Sequence, residues 1–155
     1  MPRTSTKIAA PARRAASEYR LEDQVGFLLR RAYQRASSNL VDRIGAHDLT
    51  APQFATLARL YERGPLSQNL LGRLVAMEPA NIRDVVLRLK KRHLLATRRD
   101  PTDKRLILID LTAAGVALVE QLIPIEIECT ARTLAPLNAA ERKQLYNLLS
   151  RLADR

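Results

Sequence analysis

The stretch that most constrains the fold of this chain is RRDPTDKRLILIDLT, residues 98–112. Its centre, Asp100–Asp103, combines a proline with Asp and Thr side chains, which bond nearby backbone amides and are typical of a tight turn. A short extended run, Leu95–Arg99, precedes the turn, and a β-branched-rich run, Leu106–Leu111, follows it. The pattern therefore predicts a two-stranded hairpin.

This hairpin carries positive charges at its base and tip, on Arg98, Arg99, Lys104 and Arg105. A narrow cationic ribbon can reach a phosphate backbone or a minor groove. Because Asp103 stands two residues before Arg105, we expect it to hold that guanidinium through a bidentate pair. Taken alone, the hairpin is better explained as a solvated surface hairpin, and the segment before it reverses that interpretation.

The segment before the hairpin begins with a well-marked helix start. Thr50 and Gln53 form a capping-box pattern with a proline between them, and Gly64 marks the end of the helix. Leu66 follows as a single extended residue. We expect a helix from about residue 50 to residue 63.

Two further short helices follow with a tight junction between them. Ser67 is placed to cap the first, and Pro79 opens the second after a junction at residues 76–78. Gly72 would let the two helix backbones approach closely. This order of parts indicates a helix-turn-helix.

The second of these helices has two distinct faces. Its apolar positions, Ile82, Val85, Val86 and Leu89, recur at helical spacing. The opposite face then presents Ala80, Asn81, Arg83, Asp84, Leu87, Arg88 and Lys91. Asn can bond adenine, Arg can bond guanine and Asp can accept from cytosine, while a small residue lets the helix sit close to a groove. One such helix is usually just a solvated cationic face, but its conjunction with the hairpin favours DNA reading.

The flanking segments predict long helices. Apolar residues recur at three and four positions from about Glu18 to Ala46. After the hairpin, Thr112 starts a long helix that we expect Pro124 to interrupt or bend, and Asn138 with Glu141 starts a last one. These helices carry more apolar surface than a small head can cover, so we expect them to pair with each other and with a second copy of the chain.

The composition bounds the remaining possibilities. The 155 residues carry a formal charge of +10, which favours a polyanion, with nucleic acid ahead of a membrane surface. A single cysteine, Cys129, and two histidines, His47 and His93, argue against a disulfide or a zinc site. No phosphate loop or nucleophile-base pattern is present, so we expect neither an enzyme nor a cofactor. No secretory signal or spanning segment is evident, which favours a cytoplasmic protein without a membrane partner.

Taken together, these patterns resemble the MarR-type winged-helix repressors. The resemblance runs from about Val25 to Leu152 and rests on LTAPQFATLARL at 49–60, GPLSQNLLGRL at 64–74 and RRDPTDKRLILIDLTAAG at 98–115. It implies a mainly α fold with a small β-hairpin wing, in which terminal helices form a two-fold dimer. The corresponding ranges are a basic flexible arm over 1–17 and one domain over 18–155, with the winged helix-turn-helix at about 49–112 and dimerisation helices at about 18–46 and 112–155.

The resemblance also assigns DNA contacts. Arg105 matches the minor-groove residue of the wing, with Asp103 beside it. The full candidate set is Ser67, Gln68, Arg73, Ala80, Asn81, Arg83, Asp84, Arg88, Arg98, Arg99, Asp103, Lys104 and Arg105. One departure concerns His93, which stands where the family commonly has glycine after the recognition helix. We therefore expect this helix to end in another way, with an exposed His93 favoured by the helix dipole.

Relatives of this type often release DNA when a small aromatic acid binds between the dimer helices and the head. Near that junction the chain offers Arg30, Tyr33, Gln34, Arg43 and His47, which can bind a carboxylate and stack on a ring. A hydroxybenzoate or hydroxynicotinate is the expected effector. An amphipathic helix with solvated cations and an interface tyrosine explains the same residues equally well. The competing function for the whole chain is an architectural nucleic-acid-binding protein without sequence preference.

Overall fold

The computed structural model describes residues 16–153, which fall into two compact units, one ending at Arg35 and the other beginning at Ala36. The predicted basic arm, residues 1–17, lies almost wholly outside the described residues and stays a prediction. Residues 16–18 form one helical turn. The division into an arm and a single domain also stays a prediction.

The described chain is mainly helical, with a small antiparallel sheet. The helices are α1 Val25–Ile44, α2 Ala51–Arg63, α3 Gln68–Leu74, α4 Pro79–Lys91, α5 Ala113–Thr133 and α6 Ala139–Ala153. The strands are β1 Leu66–Ser67, β2 Leu95–Arg99 and β3 Ile107–Leu111, and 3₁₀ turns cover Leu21–Asp23 and Gly45–His47. This order confirms the predicted fold class, a helix-turn-helix followed by a wing.

Local capping signals explain where the helices begin. The hydroxyl of Thr50 accepts from the backbone N–H of Gln53, and the Gln53 side chain accepts from the N–H of Thr50, so the predicted capping box is formed. Asn138 and Glu141 make the same reciprocal pair at α6. Each box satisfies two backbone donors that the first turn would otherwise leave unpaired.

Two predicted boundaries are corrected. The first helix begins at Val25 and not at Glu18, because Arg20 and Gln24 adopt extended backbone conformations that separate a 3₁₀ turn from α1. Of the interruption or bend expected at Pro124, the interruption does not occur, since α5 is continuous from Ala113 to Thr133. A proline inside a helix removes one backbone donor, and here the turns on both sides continue.

The sheet has three strands in the order β1-β3-β2 and not the two that the sequence predicted. Leu66 and Ser67 pair with Ile109 and Leu108, so the extended residue before α3 is part of a strand. On the other edge, Leu95 pairs with Leu111 in an antiparallel register that continues to the wing. Strand β1 therefore connects the start of α3 to strand β3 of the wing.

One apolar core lies in the second unit and joins the helices to the sheet. Its fully enclosed members include Ile44, Leu57, Leu60, Leu71, Ile82, Leu89, Val119 and Leu122. The second half of α1 packs on α5, where the thiol of Cys129, buried as predicted, donates to the carbonyl of Asn39 at 3.1 Å. The head and the C-terminal half of α1 therefore share one hydrophobic interior.

Candidate DNA-binding surface

Helix α4 separates an apolar face from a polar face, as its sequence pattern predicts. Ile82, Val86 and Leu89 are buried and Val85 is half-buried against the core. The side chains on the opposite face are all exposed, namely Ala80, Asn81, Arg83, Asp84, Leu87, Arg88 and Lys91. The helix is thus anchored on one side and offers Asn and Arg donors on the other.

Helix α3 packs closely against α4 at Gly72. A Cβ on Gly72 would stand 3.0 Å from Cγ2 of Ile82, which is tighter than ordinary van der Waals contact. Among the predicted contact residues on this helix, Arg73 is exposed, whereas Ser67 and Gln68 are half-buried. The Ser67 hydroxyl caps α3 by accepting from the N–H of Leu70. Gly72 therefore lets α3 and α4 pack at the short distance that a helix-turn-helix requires.

The end of α4 differs from what the sequence suggested. His93 adopts the left-handed conformation at φ 58°, its N–H donates to the carbonyl of Lys90 at 2.9 Å, and the N–H of Leu94 donates to that of Leu89 at 3.0 Å. These two bonds define the Schellman helix end that glycine usually makes. The expectation of another type of helix end at His93 is therefore wrong; the exposed position expected for its side chain is confirmed.

The tip of the wing is ordered by a network around one carboxylate. Asp100 Oδ1 accepts from the N–H and hydroxyl of Thr102, at 2.7 and 2.6 Å, and from the N–H of Asp103 at 2.9 Å. These hydrogen bonds, that of the Thr102 hydroxyl foremost, hold the pKa of Asp100 below its ordinary value, because they stabilise the charged form. The predicted turn chemistry is therefore present.

The cations of the wing are held at different points along it. Arg98 forms an ion pair with Asp110 on β3 at 3.2 Å, and Arg99 donates to the backbone carbonyl of Lys104 at 2.9 Å. The side chain of Arg105 is 94% exposed at the tip. The base of the wing is thus braced within the ribbon, while its tip projects a guanidinium into solvent.

The contact between Asp103 and Arg105 corrects one prediction. Asp103 Oδ1 accepts from the backbone N–H of Arg105 at 3.0 Å and lies 3.4 Å from its Nε. A single carboxylate oxygen serves both contacts, so the expected bidentate pair is not formed. This oxygen closes the backbone turn through its shorter contact, with the N–H of Arg105, and orients the guanidinium through its longer contact, with Nε.

The predicted effector residues are divided between the two units. In the first unit, Arg30, Tyr33 and Gln34 lie on α1 with exposed side chains. In the second unit, Arg43 donates to Glu128 on α5 at 2.9 Å, and His47 is half-buried in the 3₁₀ turn. The guanidinium of Arg43 is therefore already paired with a carboxylate.

Two concave sites accompany these features in the second unit. One, of about 260 Å³, lies between α2 and α4 and includes Gln53, Asn81 and Arg88 among its lining residues. The other, of about 500 Å³, lies between α2, the end of α3 and α5, with Phe54, Arg59 and Glu126 in its lining. Neither is lined by Arg43 or His47.

Sequence reasoning missed a further residue next to this surface. Arg92, directly after α4, donates to the backbone carbonyls of His47 and Asp48. No pattern within a few residues of Arg92 points to that contact, because its acceptors are 44 and 45 positions away. Within residues 16–153, no cluster of His, Cys, Asp and Glu side chains could hold a metal ion, and no helix is long and apolar enough to cross a membrane.

A helix that is buried on one face and exposes Asn and Arg side chains on the other, followed by a cationic hairpin, defines a winged helix-turn-helix protein, an architecture typical of transcription regulators. The sequence profile of the MarR family matches residues 49–107. The HTH-type transcriptional repressor NicR of Pseudomonas putida is 36% identical over 154 residues, which cover 99% of this chain and 96% of that protein. The chain belongs to the MarR family, as its motifs predicted.

Solved structures agree with this assignment. The probable transcriptional regulator from Pseudomonas aeruginosa is 46% identical, with a TM-score of 0.79 over 86% of this chain and 99% of that one. BpsR of Bordetella bronchiseptica, whose DNA binding is regulated by 6-hydroxynicotinic acid, is 41% identical, with a TM-score of 0.82 over 88% and 98% of the two chains. These relatives are transcriptional regulators, so the expectation that the chain is not an enzyme is confirmed.

Proposed function

We propose that this protein binds an inverted-repeat operator in double-stranded DNA as a homodimer and represses transcription there, in the cytoplasm. The observation that carries the proposal is the division of α4 into two faces. Ile82 and Leu89 fix the helix to the core, while Asn81, Arg83 and Arg88 are left exposed. Side chains of these types read adenine and guanine in a major groove. The wing that follows supplies exposed cations for the backbone or the minor groove.

The remaining DNA contacts of the proposal divide by role. Arg105 and Lys104 at the tip, and Arg98 and Arg99 at the base, are assigned to the wing contact, with Asp103 orienting Arg105. Arg73 is assigned to a phosphate of the DNA. Ser67 and Gln68, at the start of α3, are assigned to contacts with the DNA backbone. Ala80 and Asp84 complete the base-reading face of α4.

Exposed apolar side chains on the C-terminal helices support a dimer. Leu148, Leu149 and Leu152 on α6 are 44%, 39% and 67% exposed, and Ile127 on α5 is 61% exposed. Leu148, Leu149 and Leu152 recur at helical spacing on α6, and an exposed apolar stripe of this kind is unfavourable in water and typical of a protein interface. A second copy of the chain is the occupant that we propose, with the recognition helices about 34 Å apart, one turn of DNA.

The oligomeric state can be tested at α6. We expect sedimentation at micromolar concentration to show a dimer for the natural sequence and a shift toward monomer for Leu152→Glu. Leu106→Glu is the control, because Leu106 is a leucine that is 40% exposed in the wing and does not belong to α6. A monomer that still protects both halves of a palindrome would contradict the proposed dimer.

Competition binding separates the regulator from the architectural alternative. A labelled inverted repeat, selected from the DNA around the protein's own gene, is displaced by unlabelled operator or by random duplex of equal length. A regulator should require roughly 10³-fold or more random duplex for the same displacement, in line with specific protein–DNA complexes. Equal displacement by the two competitors would establish the architectural alternative.

A small aromatic acid, of the hydroxybenzoate or hydroxynicotinate type, is the effector that we propose to release the protein from DNA. The regulation of BpsR by 6-hydroxynicotinic acid supports this class of ligand. The candidate ligand residues are Arg30, Tyr33 and Gln34 in the first unit and Arg43 and His47 in the second. Because Arg43 already faces Glu128, an incoming carboxylate would exchange with that side chain for the guanidinium.

Titrating 6-hydroxynicotinate into the protein–operator complex tests the effector, with nicotinamide as the uncharged control compound. We expect release by the acid alone, and loss of the response in Arg43→Gln. Arg30→Gln tests separately whether the cation proposed in the first unit is needed for the response to the acid. Arg59→Gln removes a cation that lines the 500 Å³ cavity without touching the proposed residues, so its response should remain. If neither 6-hydroxynicotinate nor a hydroxybenzoate changes the affinity for DNA, the proposed effector class is contradicted.

A further inference from the structure

The C-terminal end of the recognition helix α4 is held by the junction between α1 and α2. The guanidinium of Arg92 donates to the carbonyl of Asp48 at 2.6 Å and to the carbonyl of His47 at 2.8 Å. Asp48 closes the 3₁₀ turn in the left-handed conformation. The carbonyls at such a helix end lack intrahelical partners, and a cation near them is favoured by the helix dipole.

The start of α5 holds the same end of α4 from another direction. The hydroxyl of Thr112 donates to the carbonyl of His93 at 2.7 Å, and its backbone N–H donates to the carbonyl of Leu94 at 3.1 Å. Residues 92–94 are therefore bound both by the α1–α2 junction and by the first turn of α5. The direction of α4 at this end depends on both attachments.

Arginine suits the first attachment for a geometric reason. Its planar guanidinium presents two terminal nitrogens in a fixed fork, and here each nitrogen serves one carbonyl. A lysine carries the same charge but has no planar fork to span two acceptors. Arg92 lies beyond the last residue of α4, is half-buried and has both terminal nitrogens engaged by protein carbonyls. This separates it from the exposed base-reading face.

The junction that Arg92 grips is itself attached to α5. Arg43, one turn before the junction, pairs with Glu128 at 2.9 Å, and Asn39 donates to the hydroxyl of Thr133 at 3.1 Å. Ile44, at the end of α1, is fully buried in the core. A displacement of the C-terminal half of α1 along α5 therefore reaches the end of α4 through Arg92.

We propose that Arg92 is a positioning residue that sets the direction of α4 against the α1–α2 junction, and with it the spacing at which a dimer reads its two half-sites. The inference rests on the proposed dimeric binding of DNA. Arg92 acts through the placement of α4 and not through a contact with the operator. Replacing Arg92 removes the contact of the guanidinium with the two carbonyls. The base-reading side chains stay on α4, but the helix can then take several directions relative to the α1–α2 junction.

The test compares an operator of natural spacing with operators that carry one base pair more or fewer between the half-sites. Each step rotates one half-site by about 35°, since DNA has about 10 base pairs per turn. We expect the natural sequence to lose about tenfold or more in affinity for the altered spacings. Arg92→Gln should bind the natural operator about tenfold more weakly and discriminate the spacings by less than about threefold.

Arg92→Lys distinguishes positioning from a phosphate contact. It keeps the charge, so a phosphate contact would leave its affinity and spacing preference near those of the natural sequence, whereas loss of the fork makes it resemble Arg92→Gln. The salt dependence of binding gives a second readout. A phosphate contact removed in Arg92→Gln lowers the slope by about 1, and a positioning residue leaves it unchanged. Lys91→Gln, which removes a neighbouring exposed cation, is the control and should keep the spacing preference.

Four outcomes decide the proposal. A flattened spacing preference in both Arg92 variants, with thermal unfolding that stays cooperative, supports it. Retention of the natural preference by both variants overturns it, as does a natural-like Arg92→Lys combined with a reduced salt slope in Arg92→Gln. If the natural sequence itself shows no preference among spacings, the proposed dimeric operator binding fails, and the positioning role fails with it. The measurement on the natural sequence alone distinguishes this outcome from failure of the positioning role only.

Discussion

Gly115, in the first turn of α5, lies directly against the carbonyl oxygen of Leu94. A Cβ at position 115 would stand 2.2 Å from that oxygen and 3.1 Å from Cδ2 of Leu111. The neighbour at the shorter distance is backbone, which cannot rotate away as a flexible side chain can. The absence of a side chain at Gly115 therefore allows α5 to begin beside the end of the recognition helix.

Gly115→Ala should lower the free energy of unfolding by about 2 to 3 kcal/mol, because the backbone of residue 94 or the start of α5 must shift to make room. Urea denaturation followed by circular dichroism measures the change. Gly45→Ala is the matched control, since a Cβ there meets nothing within 4 Å, and it should change stability by no more than about 0.5 kcal/mol. A Gly115→Ala variant as stable as this control would contradict the close approach.

Replacing His93 by glycine should stabilise the protein. A left-handed non-glycine residue carries a penalty of roughly 1 to 2 kcal/mol, and glycine removes it at the cost of greater freedom in the unfolded chain. We expect a net gain of about 0.5 to 1 kcal/mol for His93→Gly and for Ala76→Gly, which has φ 54° at the end of α3. Ala114→Gly, in the first turn of α5, should instead destabilise by up to about 1 kcal/mol. Destabilisation by His93→Gly would show that its side chain makes an unrecognised stabilising contact.

Removing cations from the wing and from α4 should have different effects on DNA binding. Arg105→Ala should weaken binding to all duplexes and lower the salt slope by about 1, because its exposed guanidinium is assigned to a contact that carries little sequence information. Asn81→Ala and Arg83→Ala should each cost roughly 1 to 3 kcal/mol at particular base pairs. Titrations against operator and single-base variants measure both effects. If the Asn81 and Arg83 variants bind the operator as tightly as the natural sequence does, α4 does not read the bases.

The turn at the tip of the wing should depend on pH through Asp100. Its pKa is lowered from 3.8, so its contribution to the ordered turn is complete above that value and is lost as the pH falls through the lower pKa of the folded state. We expect the amide resonances of Thr102 and Asp103 to shift together on acidification, with a midpoint below 3.8. Asp100→Asn should abolish this titration. A midpoint at or above 3.8 would show that the network does not favour the carboxylate.

Much of the fold was predictable because its signals are local. The capping box of Thr50 and Gln53 lies within four residues, and the buried positions of α4 recur with the helical period. The turn of the wing is likewise encoded in Asp100 and Thr102. Helix starts, the exposed face of α4 and the position of the wing follow from rules of this short range. The same signals account for the resemblance to the family.

Two of the predictions that failed, the number of strands and the type of helix end at His93, involve neighbours distant in sequence or a backbone preference that the tertiary structure overrides. A two-residue strand such as Leu66–Ser67 has no pattern of its own and exists because Ile109 and Leu108 lie beside it. His93 accepts a left-handed backbone because the helix end is held on both sides, through Arg92 and through Thr112. Local preference alone disfavours that conformation.

The amino-acid sequence by itself determined where most helices and the wing lie, which face of α4 is polar, and which family the chain resembles. The tertiary structure alone decided how the end of α4 is held, because Arg92 finds its acceptors 44 and 45 residues away and Gly115 meets a carbonyl across a helix boundary. Local periodicity and capping act over a few residues. The direction of a recognition helix depends on contacts that form only when distant segments have packed together.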